Sequence, residues 1–109
     1  MFFLMICRHR DNVAELRDRL RPAHREHVAT GGGGPARVLT GSALRGQDDE
    51  AGIGNFGILE AASFDDAMAF AKNDPFNTGG VVDTIELTRV ADTFQAQRID
   101  PMTKLGGTP

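Results

Sequence analysis

Two histidines three residues apart, His24 and His27, fall in the stretch LRPAHREHV, directly behind Pro22. A helical rhythm carried on from Leu16 and Leu20 at about 100° per residue puts both imidazoles on the apolar stripe of a helix. Imidazole takes and returns protons near neutral pH, so a histidine there is either a satisfied core residue or a general base facing a pocket. A partner would decide between these. Asp74, in NDPF, is the acidic residue followed by proline at a helix exit. A carboxylate on one ring nitrogen fixes the tautomer and leaves the other nitrogen to move a substrate proton. Aspartate before proline is equally a common turn or capping residue.

Other chemistry is less well provided for. His24 and His27 at that spacing make a weak metal pair, because Cys7 and His9 sit elsewhere in the sequence, so no metal and no other cofactor is expected. Cys7, the one cysteine, lies in the apolar run MFFLMIC and reads as a buried, inert thiol. GIGNFG, residues 52–57, matches G-x-G-x-x-G letter for letter. It follows a loop and leads into a strand, whereas the dinucleotide fingerprint needs a strand before and a helix after. TGGGGP, residues 30–35, runs from helix to strand and reads as a helix stop rather than a phosphate cradle.

These residues need a scaffold, and 109 residues with 40% hydrophobic and 25% charged side chains are enough for one globular domain. The longest apolar run is too short to cross a bilayer and lacks the flanks of a signal peptide, so a cytoplasmic protein without membrane contact is expected. A net charge of −3, dispersed Lys and Arg, and the absence of Trp and Tyr argue against nucleic acid as a partner.

Periodicity assigns the elements. FFLMIC (2–7) is a strand; Asp11 is the expected N-cap of a helix carrying Val13, Leu16 and Leu20, which Pro22 should kink or restart. ARVLTGSAL (36–44) and NFGILEA (55–61) are strands; SFDDAMAFAKND, capped by Ser63, is a helix ending near Asp74; GVVDTIELTRV (80–90) is the fourth strand. The order βαββαβ with right-handed crossovers predicts an α+β, ferredoxin-like fold: a four-stranded antiparallel sheet with two helices on one face. The other face then exposes apolar residues of the first strand, which predicts a homodimer packed sheet to sheet. Residues 91–109 form an extension of low hydrophobicity, its last five residues disordered.

RPAHREHV, a glycine turn into VLTGS, SFDDAMAFA and NDPFNTGGV, taken in order over residues 1–90, resemble the YciI-like (YCII-related) domain family, whose members share R-P-x-H and D-P-[FY]-x-x-[AG]-G. The resemblance implies a ferredoxin-like fold, a dimeric α/β-barrel-like assembly joined through sheets, and a His-Asp pair that matches His24 and Asp74. One relative of the family removes chloride from a chlorinated hydroxyquinol, and the fold is similar to that of muconolactone isomerases. Where the family commonly has Gly-Pro, this chain has Gly41-Ser42, which brings a hydroxyl to the pocket wall. The extension from Ala91 also exceeds the family domain and is expected to fold over the dimer or a pocket mouth.

The expected function is cofactor-independent acid/base chemistry on a small molecule, of isomerase, lyase or dehydrochlorinase type. His24 acts and Asp74 orients it, while Arg21, His27, Ser42 and Phe76 line the site. The alternatives are a ligand-binding module without turnover, and a dyad that only ties Pro22 to the end of the second helix.

Overall fold

The computed structural model describes residues 1–47 and 52–104. Four strands form one antiparallel sheet: β1 (Phe2–His9), β2 (Ala36–Arg45), β3 (Gly52–Ala61) and β4 (Val82–Val90), in the order β2-β3-β1-β4. Helix α1 (Ala14–Thr30) links β1 to β2; helix α2 (Phe64–Asn73) and the single turn α3 (Pro75–Thr78) link β3 to β4. This α+β arrangement is compatible with the ferredoxin-like fold read from the sequence. The expected disorder of the last five residues concerns 105–109, which lie outside the described residues, as does part of the loop before β3.

β1 alternates as a half-covered strand does. Phe3, Met5 and Cys7 are buried beneath the helices, while Phe2, Leu4 and Ile6 are only half-buried on the other face. The core joins the inner residues to Val38 and Leu59 of the sheet and to Ala67, Phe70 and Ala71 of α2. Burying a side chain as large as Phe3 or Phe70 contributes about 1.5–3 kcal/mol.

Two expectations for α1 are corrected. The helix starts at Ala14, with Val13 rather than Asp11 at its N-cap and no side-chain cap. It also runs unbroken through Pro22 instead of restarting there. Pro22 is exposed, so the carbonyl deprived of its N–H partner can turn to water and one lost bond does not end the helix. At the other end Gly31 caps α1 in the left-handed conformation, φ 64°. α2 matches its expected start, with Ser63 Oγ accepting from Asp66 N–H at 3.1 Å.

No residue of α1 is fully buried, because the helix stands off the sheet where β2 and β3 carry glycine. Gly41 pairs with Gly57 in the β2-β3 register, so neither strand sends up a side chain there. A Cβ at Gly41 would come within 2.5 Å of the Phe56 carbonyl oxygen. Gly41 and Ser42 lie inside β2 rather than in a turn after it.

The extension packs on its own chain. Phe94 meets Phe2 edge-on at 5.5 Å. Farther on, the N–H groups of Met102 and Thr103 donate to Val38 C=O at 2.9 and 3.0 Å, next to the bulge that leaves Leu39 unpaired. Buried Thr103 Oγ1 accepts from Val38 N–H and donates to Val28 C=O, both at 2.8 Å, and so ties β2 to the end of α1.

Candidate functional site

Between α1 and the glycine floor of β2 and β3 lies a cavity of about 460 Å³ that opens to solvent. Its apolar end is made by Met5, Val28, Val38, Phe70 and Met102. Its polar end is made by His9, Arg17, His24, Asn55 and Asp74. A small organic molecule fits such a volume.

His24 and Asp74, fifty residues apart, meet at this polar end. His24 Nδ1 lies 2.9 Å from Asp74 Oδ1 and 2.8 Å from Oδ2. A carboxylate only accepts, so Nδ1 carries a proton, and in the neutral ring this tautomer leaves the lone pair on Nε2. The side chains are 17% and 6% exposed, so the pair is shielded but reachable. Asp74 also caps α3, accepting from Phe76 N–H at 2.9 Å, which accounts for an aspartate before proline at that turn. The Phe76 ring then stacks on His24 with centroids 4.0 Å apart and planes 5° apart.

The remaining expected residues are distributed unevenly. Arg21 lines the cavity and pairs with Asp18 at 2.6 Å. Ser42 is at the exposed rim, opposite Phe56 in the register. His27 faces away: its Nε2–H donates to Phe70 C=O at 2.8 Å, its ring stacks on Phe70, and it is absent from the cavity wall. The two histidines of RPAHREHV thus separate into a cavity residue and a packing residue. Among the described residues no three His, Cys, Asp or Glu side chains converge as a metal-ligand set.

His9, distant in sequence from the other two histidines and not among the expected site residues, also sits at the site. Its ring meets Phe76 edge-on at 5.6 Å. Arg17 Nε–H donates to His9 Nδ1 at 3.2 Å, so the ring proton is on Nε2 and donates to Asn55 Oδ1 at 2.8 Å. Burial pushes the His9 pKa below the ordinary histidine value; the Asn55 hydrogen bond opposes that shift, and the Arg17 charge adds to it. His9 is therefore a neutral imidazole with both nitrogens engaged. The signal for it was parity, since residues 3, 5, 7 and 9 of one strand share a face. Nothing in the sequence marked Arg17 or Asn55, which belong to the site only through pairing across the fold. Cys7, the next residue inward on that face, has its thiol pushed up to about 12 by burial and by the Asp74 charge, consistent with an inert core thiol.

The fold and cavity define a class of small α+β domains that hold a histidine-carboxylate pair under a four-stranded antiparallel sheet. Within that class the chain belongs to the YCII-related domain family, whose model matches residues 1–91. Among solved structures it is similar to 5-chloro-2-hydroxyhydroquinone dehydrochlorinase from Burkholderia phenoliruptrix AC1100, in complex with 2,5-dihydroxybenzoquinone. The TM-score is 0.69 at 26% identity, covering 84% of this chain and 94% of that one. No curated protein sequence matches the chain. The extension after residue 91, with Met102 on the cavity wall, lies beyond the matched family range. No described helix is long and apolar enough to cross a membrane.

Proposed function

We propose that the protein is a small-molecule enzyme in which His24 Nε2 removes a proton from carbon or oxygen next to a carbonyl. The proton then returns at another position, giving isomerisation, or a leaving group such as chloride departs, giving elimination. The observation that carries this reading is the His24-Asp74 pair at 2.8 Å, with the opposite ring nitrogen bare of any hydrogen bond from the described residues. Asp74 holds the tautomer and stabilises the imidazolium formed when the proton arrives; Phe76 offers its face to the same cation. Neutral His9 adds no competing charge beside it. The similarity to a dehydrochlorinase supports the elimination arm of this reading.

Chloride release from 5-chloro-2-hydroxyhydroquinone, and solvent-deuterium incorporation into a panel of unsaturated lactones, test the proposal. Turnover of at least one compound is expected, and His24→Ala should slow it by about 10²–10⁴-fold while the far-ultraviolet circular dichroism is unchanged. Equal rates for the two proteins would reject the role of His24. A compound that binds the wild-type protein and is never consumed would favour a binding module. The outer sheet face, where Leu4 and Ile6 are half-buried, supports a sheet-to-sheet homodimer as part of the same proposal.

A further inference from the structure

Arg17, Arg21 and Arg25 recur every four residues along α1, and all three line the cavity. That spacing keeps them on one face of the helix. Against them, among the described residues, the cavity wall carries one carboxylate, Asp74, which His24 already engages. Among the described residues the wall is cationic, although the chain as a whole carries a net charge of −3.

The three guanidinium groups differ in what they have left to offer. Arg21 is bound to Asp18. Arg17 is pinned at two points, donating from Nε to His9 and from Nη2 to Gly52 C=O at 3.0 Å, and its Nη1 makes no bond to a described residue. It lies flat over Gly52, where an added Cβ would meet Nη1 at 3.1 Å. Arg25 is exposed and has no hydrogen bond or ion pair with any described residue. A pinned guanidinium with a free edge is a preorganised receptor for anionic oxygen, and the unpaired Arg25 two turns along adds positive charge to the same wall.

We propose that the substrate of this site is an anion, with a carboxylate or ionised hydroxyl held on the free edge of Arg17, Arg25 adding its charge to the same wall, and its reacting carbon turned to His24 Nε2. This inference rests on the acid/base reading above and adds the class of substrate. Anchoring the charge on α1 fixes which carbon faces the base. The same guanidinium edge stabilises the negative charge that builds on oxygen as the proton leaves. The uncharged part of the molecule lies toward Val28, Phe70 and Met102.

The test is calorimetric binding of 2,5-dihydroxybenzoquinone, an anion at neutral pH, beside its uncharged dimethyl ether, and of benzoate beside benzamide. The anions should bind more tightly, and the preference should shrink as salt screens the arginines. Arg25→Gln should weaken anion binding by about two- to fivefold, as suits an exposed charge. Arg17→Gln should weaken it by about tenfold, as suits a hydrogen bond to a charged group. Neither should move the neutral compounds, and Arg17→Lys should recover part of the anion affinity. Neutral compounds binding as tightly as anions, unchanged anion affinity in both variants, or no binding at millimolar concentration would each overturn the proposal. An arginine-dependent anion preference in a protein whose His24→Ala variant turns over at the wild-type rate would remove the acid/base reading and keep the anion site.

Discussion

The carboxylate of Asp74 does two things at once: it holds His24 Nδ1 at 2.8 Å and caps the turn that delivers Phe76 to the face of that same imidazole. Orientation of the ring and the stacking beneath it therefore depend on one side chain.

The two duties separate by substitution. Asp74→Asn keeps an acceptor for Phe76 N–H but removes the charge opposite Nδ1, so activity should fall by a large factor with little loss of stability. Asp74→Ala removes the cap as well and should cost about a further 1 kcal/mol. Thermal melts beside turnover check this; equal melting of the two variants would show that the cap contributes nothing.

His9 makes stability depend on pH. Its folded pKa lies below the ordinary histidine value near 6.5, so on acidification the unfolded chain takes up the proton first. Above that value both states are neutral and the term vanishes. Stability should fall as pH drops from 6.5 through the lower folded value of His9, and rise with pH across that window. His9→Gln should flatten this part of a denaturation profile measured between about pH 4 and 7. A wild-type slope retained in the variant would assign it to another group.

Thr103 is the clasp of the extension. Thr103→Val leaves buried Val38 N–H without its partner, at a cost of about 1–3 kcal/mol, and takes one of two donors from Val28 C=O, which still accepts from Gly31 N–H at 3.2 Å. Because those two groups belong to the two elements that the hydroxyl joins beside the cavity, amide exchange should quicken at the end of α1 and the start of β2 together. Quickening at the chain terminus alone would show that the clasp does not brace the site.

The outer sheet face should make the protein dimeric. Sedimentation at micromolar concentration is expected to give twice the chain mass, and Ile6→Glu, on the half-buried outer side of β1, should shift it to monomer without unfolding it. A wild-type monomer would end the sheet-to-sheet proposal.

Cys7 gives a kinetic readout of the core. With its thiol pushed up to about 12, alkylation by iodoacetamide at pH 8 should be orders of magnitude slower in the native protein than in denaturant. Comparable rates would mean that the inner face of β1 opens readily.

Element order, strand parity and the Ser63 cap were legible in the sequence because each follows from a local period or a residue two or three positions away. So was the pairing of His24 with Asp74, once the second helix was seen to end at Asp74-Pro75 and the helices to share one face of the sheet. The course of α1 through Pro22 was not, since whether proline breaks a helix depends on what surrounds the carbonyl it leaves unpaired. Only the tertiary structure turned His27 toward Phe70 and brought His9, Arg17 and Asn55 together, because strand pairing and helix packing set those distances. The cavity itself comes from the same source: nothing in the sequence pairs Gly41 with Gly57, and only their meeting across β2 and β3 leaves the space that His24 faces.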